Sequence, residues 1–367
     1  MWFLNIEQVP KVNKRRALIV PYPYCPPTNG GQHVAYAFSE FISKKDKLYC
    51  LSTTNNQLKN LPFALIPFFK DSKSKYFNPI YAFRLYRFLK QNKIEECILF
   101  QPFAFLLILP TLFFSSTKIS IYVQNMEYKR FQSIGKPWWR LMFWWEKISY
   151  RLSWKLYFVT TTEIEDACKV FNVPKEKCIP AVAGTRHQSQ PKADKKAIQN
   201  IRKQHPQQKL LLFYGSRHYY PNLKAVKDII DHLIPAVKKQ TNNPFIILIA
   251  GLGEAYKTHH PDVRYLGFVP VIQDYIQAAD LILNPITLGA GIQTKVLEAI
   301  SYGATVVATR HAANGIDTDY CEKKLIVVPN HDYREWSRQI VLNWNEKPAT
   351  PEAFYLAYYW GKTLGDV

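Results

Sequence analysis

Short apolar runs alternate with amphipathic segments along most of the chain. The apolar runs predict buried strands, and segments with apolar residues three and four positions apart predict helices. We expect strands at 16–21, 48–53, 63–69, 96–100, 119–123, 156–160, near 179, 210–214, 245–250, 263–266, 281–284, 304–308 and 325–328. We expect helices at 32–42, 79–92, 137–152, 164–171, 223–239, 271–278, from near 293, and at 333–343. This alternation predicts an α/β protein built from parallel sheets.

A polar, basic stretch interrupts the alternation at residues 184–208 (GTRHQSQPKADKKAIQNIRKQHPQQ). It is nearly free of large apolar residues, so we interpret it as an interdomain linker. A chain of 367 residues is also long enough for two cores. We therefore predict two Rossmann-like domains facing each other across a cleft, an N-terminal one at 1–183 and a C-terminal one at 209–349.

Residues 284–309 (NPITLGAGIQTKVLEAISYGATVVAT) have the pattern of an anion-binding loop that leads into a helix. Gly289 and Gly291 permit backbone torsions that other residues avoid and let a ligand approach the main chain. A helix that begins near Gln293 directs free N–H groups at such a ligand, which favours an anion.

Lys295 and Glu298 are the charged residues of this helix start. Because they are three positions apart, they share a helix face and offer a cation for phosphate and an acceptor for sugar hydroxyls. The combination suits a nucleotide sugar, although Lys/Glu pairs at this spacing are also common on solvated helix faces.

Two segments raise the question of a membrane. Residues 98–114 are apolar enough to approach the lower limit of a membrane span, but Gln101, Pro102 and Pro110 favour a buried strand followed by a buried helix. Residues 137–152 (PWWRLMFWWEKISYRL) combine aromatic and basic residues at helical spacing. Such a helix can lie in a membrane interface, but an aromatic stripe more often belongs to a core.

Composition narrows the class of protein only in part. Hydrophobic residues make up 47% of the chain, which excludes wholesale disorder. The formal net charge of +20 favours polyanions, anionic lipid surfaces or phosphorylated small molecules without choosing among them. The six cysteines show no CxxC or Cys/His spacing, so we expect reduced thiols.

The amino terminus lacks the pattern of a secretory signal, because its charged residues follow a short mixed segment instead of preceding an apolar one. We therefore expect a cytoplasmic protein, with peripheral contact at the inner face of the membrane as a further expectation.

Three segments of the second domain resemble the retaining glycosyltransferases of the two-domain GT-B architecture. They are GSRHYYPN at 215–222, YLGFVP at 265–270 and LGAGIQTKVLEAISYGATVVAT at 288–309. The resemblance is to the large bacterial glycosyl transferase group 1 (family four) type, and is greatest to members that build surface polysaccharides. PPTNGGQ at 26–32, QNMEYKRF at 124–131 and EAFYLAYYWGKTL at 352–364 are also similar to family segments. The last of these implies a C-terminal helix, at 350–367, that crosses back onto the first domain.

The resemblance implies roles for individual residues. It makes Glu298 the ligand of the nucleotide ribose, and Lys295 and Arg217 the cations that hold the donor diphosphate. The remaining donor-binding positions that it implies are Gly215, Ser216, Phe268, Val269, Gly289, Gly291, Ile292, Gln293 and Thr294. Gly30, Gly31 and Gln32 form the implied loop that approaches phosphate and acceptor. Asn125 and Glu127 are candidates for polar contacts to the sugar or the acceptor. The alternative is that they are strand-end residues whose side chains form hydrogen bonds within the local loop.

This sequence departs from the family pattern at three positions. Ala290 stands where many members carry a first glutamate, and Gln124 stands where a strand-end histidine often lies. Asn222 comes where a second lysine is usual, so the diphosphate is expected to rest on Arg217 and Lys295. The sequence shows no His/Asp/Glu cluster with ligand spacing and the architecture implies no Asp-x-Asp metal motif, so we expect no metal and no cofactor.

The implied activity is transfer of a sugar, with retention, from a nucleoside-diphosphate donor to a hydroxyl of a glycan or lipid-linked acceptor. A dinucleotide-dependent oxidoreductase is a rival class, but the GLG at 251–253 lacks the third glycine of its fingerprint. A basic protein that binds nucleic acid or membrane without transferase activity is the other alternative, motivated by the net charge. Under the transferase interpretation no nucleic-acid partner is expected.

Overall fold

A computed structural model of the chain describes residues 14–257, 259–345, 349–365 and 367. The amino-terminal segment considered for a secretory signal lies almost wholly outside these residues. The described chain divides into two compact units. Of the described residues, the first takes in those of 14–124, Phe143–Ala181 and 364–367, and the second takes in those of Asn125–Met142 and Val182–Thr363.

The first unit is built on a seven-stranded sheet in the order β3-β2-β1-β4-β5-β6-β7, and every pairing is parallel. Its strands are β1 Arg15–Ile19, β2 Lys47–Thr53, β3 Ala64–Phe69, β4 Glu96–Phe100, β5 Lys118–Val123, β6 Lys155–Phe158 and β7 Cys178–Pro180. The helices of this half of the chain are α1 Gly30–Ser43, α2 Pro79–Gln91, α3 Leu109–Phe114, α4 Glu127–Ser133, α5 Trp139–Leu152 and α6 Thr161–Phe171. A 3-10 segment, Pro102–Ile108, precedes α3.

The second unit is built on a six-stranded parallel sheet in the order β10-β9-β8-β11-β12-β13. Its strands are β8 Lys209–Tyr214, β9 Phe245–Ala250, β10 Val263–Gly267, β11 Leu281–Asn284, β12 Val306–Thr309 and β13 Leu325–Val328. Its later helices are α7 Lys195–Lys203, α8 Tyr220–Asp228, α9 Ile234–Gln240, α10 Ile272–Ala278, α11 Thr294–Ser301, α12 Thr318–Cys321, α13 Tyr333–Asn343, α14 Glu352–Tyr358 and α15 Trp360–Thr363. The two sheets confirm the predicted fold class of two parallel, Rossmann-like α/β units.

The stretch interpreted as a linker contains a regular helix. The Asp194 side chain caps α7 by accepting from the N–H groups of Lys196 and Ala197. Arg202 on this helix donates two hydrogen bonds of 2.8 Å to the carboxylate of Asp280. The polar composition of the stretch did not predict this helix. Its apolar side consists of little more than Ile198 and Ile201, which pack against the core of the second unit.

The C-terminal segment, predicted at 350–367 to return to the first domain, is divided between the two units. Aromatic side chains of α14, among them Phe354, Tyr355 and Tyr358, are buried in the core of the second unit. Thr185 N–H donates to the carbonyl of Tyr358, which fastens this segment to the chain that enters the second unit. Only Leu364–Val367 group with the first unit.

Both segments considered for a membrane are folded into the α/β architecture. Residues 98–114 form the end of β4, the 3-10 segment and α3, and no helix among the described residues has the length and apolar character of a membrane span. On α5, Trp145 donates its indole N–H to the carbonyl of Pro102 at 3.0 Å and Tyr150 is fully buried. Trp144 is 57% exposed, so only part of the aromatic stripe belongs to the core.

Candidate functional site

The loop between β11 and α11 lies at the carboxyl edge of the second sheet, where ligands bind in parallel α/β proteins. Gly289 and Gly291 have φ angles of +111° and +75°, the left-handed region that favours glycine. On α11 the side chains of Val296, Leu297, Ala299 and Ile300 are buried, as the apolar spacing predicted. This packing fixes the direction in which Lys295 and Glu298 project.

Lys295 is held by two oxygen acceptors. Its Nζ donates to the carbonyl of Tyr214 at 3.1 Å and to Oδ1 of Asn222 at 3.0 Å, and it lies 4.8 Å from the ring centroid of Phe213. Burial lowers the pKa of this ammonium to about 7, against a smaller opposing effect of Glu298. The side chain is therefore poised between its charged and neutral forms near neutral pH.

Glu298 accepts a hydrogen bond from the Tyr214 hydroxyl, which also donates to the backbone of α11. The Tyr214 hydroxyl donates to the carbonyl of Lys295 at 2.6 Å and to Oε2 of Glu298 at 3.2 Å. Burial raises the pKa of Glu298, while the Tyr214 hydrogen bond and the charges of Lys295 and Arg186 act in the opposite direction. The carboxylate is thus oriented by a neutral phenol at the end of β8.

Arg217 donates hydrogen bonds to the loop that follows β9. Its Nε donates to the carbonyl of Glu254 at 2.9 Å, its Nη2 donates to the carbonyl of Gly253, and the guanidinium lies 5.0 Å from the ring of Tyr265. Nη1 is buried and has no hydrogen-bond partner within the described chain. The side chain is 6% exposed, and burial lowers its pKa. Arg217 therefore holds the loop through Nε and Nη2, while its Nη1 is buried without an acceptor among the described residues.

Asn222 joins Lys295 to the turn that precedes Arg217. Its Nδ2 donates to the carbonyl of Ser216 at 2.8 Å while its Oδ1 accepts from Lys295. The residue that departs from the family pattern therefore positions Lys295 against the Gly215–Ser216 turn. The same turn meets the next loop closely, because a Cβ on Gly251 would lie 2.4 Å from the carbonyl oxygen of Gly215.

The predicted base-binding segment borders a pocket of about 480 Å³ in the second unit. Phe268 and Val269 line it together with Tyr265, Asp274 and Tyr275. The Phe268 ring is 62% exposed, so a face is open for stacking. Ile292, Gln293 and Thr294 lie where α11 begins, and the Gln293 side chain makes no capping hydrogen bond.

The glycine-rich loop of the first unit leads into α1. Asn29 caps this helix by accepting from Gln32 N–H at 3.1 Å, and Gln124 donates its Nε2 to the carbonyl of Gly31 at 2.9 Å. The Gln32 side chain is used within the loop, where Oε1 accepts from Thr28 and Nε2 donates to a carbonyl. Gly30 and Gly31 occupy the first turn at the carboxyl end of β1.

Asn125 and Glu127 group with the second unit, although they follow a strand of the first. Glu127 is 4% exposed, and its Oε2 accepts from Arg130 Nε at 2.7 Å. Further along α4, Ser133 Oγ accepts from the N–H of Gly289 at 3.2 Å. The structure thus brings α4 to the glycine loop before α11, with Glu127 committed to an ion pair.

Sequence reasoning did not identify the side chains that surround Glu298. Besides Tyr214, they include Arg186, whose charge acts on the pKa of both Glu298 and Tyr302. His187 Nε2 lies 3.1 Å from the Tyr302 hydroxyl. Arg186 and His187 belong to the stretch interpreted as a linker, and no local pattern marked them. Among the described residues, no three His, Cys, Asp or Glu side chains are grouped as metal ligands.

Comparison with known proteins finds a similarity to one family within the second unit. Residues 208–344 match the family described as Glycosyl transferases group 1. The matched segment contains Arg217, Lys295 and Glu298. No curated protein sequence is significantly similar to the chain.

Solved structures resemble the chain over nearly its full length. Sucrose-phosphate synthase from Thermosynechococcus elongatus has a TM-score of 0.74 at 12% identity, covering 96% of this chain and 98% of that one. HepE of Anabaena, in complex with UDP and glucose, has a TM-score of 0.67 at 10% identity, with 96% and 95% covered. WaaG, a glycosyltransferase of lipopolysaccharide biosynthesis, has a TM-score of 0.63 at 16% identity, with 96% and 95% covered. At these identities the likeness establishes the fold, that of GT-B glycosyltransferases.

Proposed function

We propose that the protein is a retaining glycosyltransferase that moves a sugar from a nucleoside-diphosphate donor to a hydroxyl of a glycan or lipid-linked acceptor. The observation that carries the proposal is the arrangement at α11, where Lys295 and the Tyr214–Glu298 pair lie beside a left-handed glycine loop. This arrangement falls within the segment that matches the glycosyl transferases group 1 family. The UDP and glucose bound to HepE support the donor class.

The proposed chemistry depends on stabilising the leaving group. As the bond between the anomeric carbon and the phosphate oxygen breaks, negative charge develops on the diphosphate. Protonated Lys295 and Nη1 of Arg217 supply positive charge, while Glu298 accepts from the ribose hydroxyls. The acceptor hydroxyl then attacks from the same face of the sugar, and its proton passes to the departing phosphate. We propose that two side-chain cations suffice, so no metal or cofactor is required.

The remaining roles follow the same scheme. Phe268 and Val269 bound the space for the base, and Gly30, Gly31 and Gln32 form the loop for phosphate and acceptor. With Ala290 in place of an acidic residue, selection of the sugar falls to other groups. We further propose a role in surface polysaccharide synthesis at the cytoplasmic face of an anionic membrane, without a nucleic-acid partner. WaaG, named for lipopolysaccharide biosynthesis, supports this setting.

The alternative is a basic protein that binds nucleic acid or membrane without transferring a sugar, which the net charge of +20 favours. A thermal-shift screen separates the two. UDP, GDP and their sugars should raise the melting temperature, and NAD should not, because binding to the native state stabilises it. A response to DNA or RNA alone would reject the transferase proposal.

A further inference from the structure

Helix α4 and the residue before α8 both border the glycine loop that precedes α11. Ser133 Oγ on α4 accepts from the N–H of Gly289 at 3.2 Å, and residues 125–142 group with the second unit. Tyr219 reaches the same loop, because a Cβ added to Gly289 would lie 3.2 Å from the Tyr219 hydroxyl. A ligand that binds against this loop would therefore meet side chains of α4 and of the turn before α8.

Tyr219 belongs to the turn that positions Lys295. Its N–H donates to the carbonyl of Ser216 at 3.2 Å. The same carbonyl accepts from Asn222, whose Oδ1 accepts from Lys295. The Tyr219 side chain is 37% exposed, and its hydroxyl makes no hydrogen bond with the residues that the structure describes. This hydroxyl is therefore held beside the glycine loop and is available to a ligand.

Arg130 supplies a cation near this hydroxyl. Burial raises the pKa of Tyr219, while the charge of Arg130 lowers it and that of Glu127 raises it. Arg130 Nε and Nη2 both bind Oε2 of Glu127, at 2.7 and 2.5 Å. Nη1 has no partner in the described part of the chain, and the side chain is 25% exposed. Glu127 thus orients the guanidinium and leaves one of its nitrogens for another acceptor.

The side chains that border the loop are hydrogen-bond donors more than acceptors. Residues 284–297 contain no Asp or Glu, and Ala290 adds only a methyl group between the two loop glycines. The carboxylate of Glu127 is buried and bound to Arg130. A sugar hydroxyl needs an acceptor for its proton, which this set supplies poorly. A carboxylate only accepts hydrogen bonds, and its shape matches the planar guanidinium.

We propose that Arg130 and Tyr219 contact the sugar of the donor, and that this sugar carries a carboxylate, as a uronic acid does. Nη1 of Arg130 and the Tyr219 hydroxyl donate to the carboxylate oxygens, while the diphosphate is held by Arg217 and Lys295. The two residues thus select the sugar, which Ala290 cannot do. The inference rests on the proposed function and specifies the class of its donor sugar.

Pairs of donors that differ only in a terminal carboxylate or hydroxymethyl group test the proposal. The affinities of the full chain for UDP-glucuronic acid and UDP-glucose, and for GDP-mannuronic acid and GDP-mannose, are measured by titration calorimetry beside UDP and GDP. We expect the acid of the accepted nucleotide to bind about tenfold tighter than its neutral partner, because hydrogen bonds between charged groups are the stronger ones.

Substitutions at the two residues should remove this preference. Arg130→Gln should bring the ratio of the two affinities close to that of equal binding, and Tyr219→Phe should reduce it in part, since each removes a donor to the carboxylate. Arg140→Gln and Tyr220→Phe are the matched controls, an exposed arginine and an exposed tyrosine of the same unit, and both should keep the wild-type ratio.

Equal affinity of the wild type for the acid and the neutral sugar would overturn the proposal. So would an equal loss of affinity for the free nucleotide and both of its sugars in Arg130→Gln, because the guanidinium would then contact the diphosphate. Circular dichroism checks the fold of each variant; if Arg130→Gln is misfolded, an unchanged ratio in Tyr219→Phe overturns the proposal. Nucleotide binding without a sugar preference rejects this inference alone, whereas a wild type that binds no nucleotide or nucleotide sugar rejects the proposed function as well.

Discussion

The lowered pKa of Lys295 predicts that donor affinity depends on pH through one residue. With a pKa of about 7 in the free protein, about half of the molecules carry this charge at pH 7 and about 1% at pH 9. Only the charged form attracts the diphosphate, so apparent affinity for a nucleotide sugar should fall about 50-fold between pH 7 and pH 9. A nucleotide sugar is the suitable ligand because its diphosphate does not titrate in this range.

The same reasoning predicts proton uptake on binding. Near pH 8 about nine in ten free molecules have a neutral Lys295, and a bound diphosphate raises its pKa and recharges it. Isothermal titration in buffers of different ionisation enthalpy should therefore report uptake of about 0.9 proton. Lys295→Met should remove both the uptake and the pH dependence. Asn222→Asp places a carboxylate where Oδ1 now lies 3.0 Å from Nζ, so it should move the loss of affinity to higher pH. A flat wild-type profile, or an unchanged slope in Lys295→Met, would refute the reasoning.

Three further predictions concern the second unit. Glu298→Gln should weaken nucleotide binding by about 1–3 kcal/mol in titration calorimetry without changing the fold, because it removes the charged acceptor for the ribose; wild-type affinity would exclude the role. Asp280→Ala should lower the free energy of unfolding in urea by about 2 kcal/mol, since it leaves Leu210 N–H and Arg202 without their acceptor; an unchanged midpoint would show that α7 adds no stability. Gly251→Ala should destabilise by more than Gly267→Ala, for which about 1 kcal/mol is expected, because a Cβ at Gly251 meets Gly215 while Gly267 faces open space; equal costs in the two variants would argue against this close contact.

The periodicity of apolar residues predicted which side of a helix is buried and which runs form strands, because these features depend only on the burial of apolar side chains. The apolar positions of α11 fixed its buried side, and so the projection of Lys295 and Glu298, before any tertiary contact was considered. Apolar runs likewise predicted the strands, because strands of a parallel sheet are buried on both faces.

The environment of the site could not be predicted in this way. Tyr214 reaches Glu298 across 84 positions of the chain, and Arg186 comes from a stretch whose composition resembles a linker. The commitment of Arg217 to the carbonyls of Gly253 and Glu254 likewise depends on where two loops meet. The outer face of α5 carries apolar residues (Leu141, Trp144, Ile148 and Leu152) at helical spacing, as its core face does, so spacing did not separate Trp144 from Trp145.

The central claim is that the site on α11 binds and cleaves a nucleotide sugar. The most direct test is release of nucleoside diphosphate from a panel of UDP-, GDP- and ADP-sugars by the wild type, Lys295→Ala and Glu298→Ala. We expect release from at least one donor, with both substitutions abolishing it while the melting temperature of the free protein stays close to that of the wild type. Release that persists in either variant, or a wild type that neither binds nor cleaves any donor, would contradict the account.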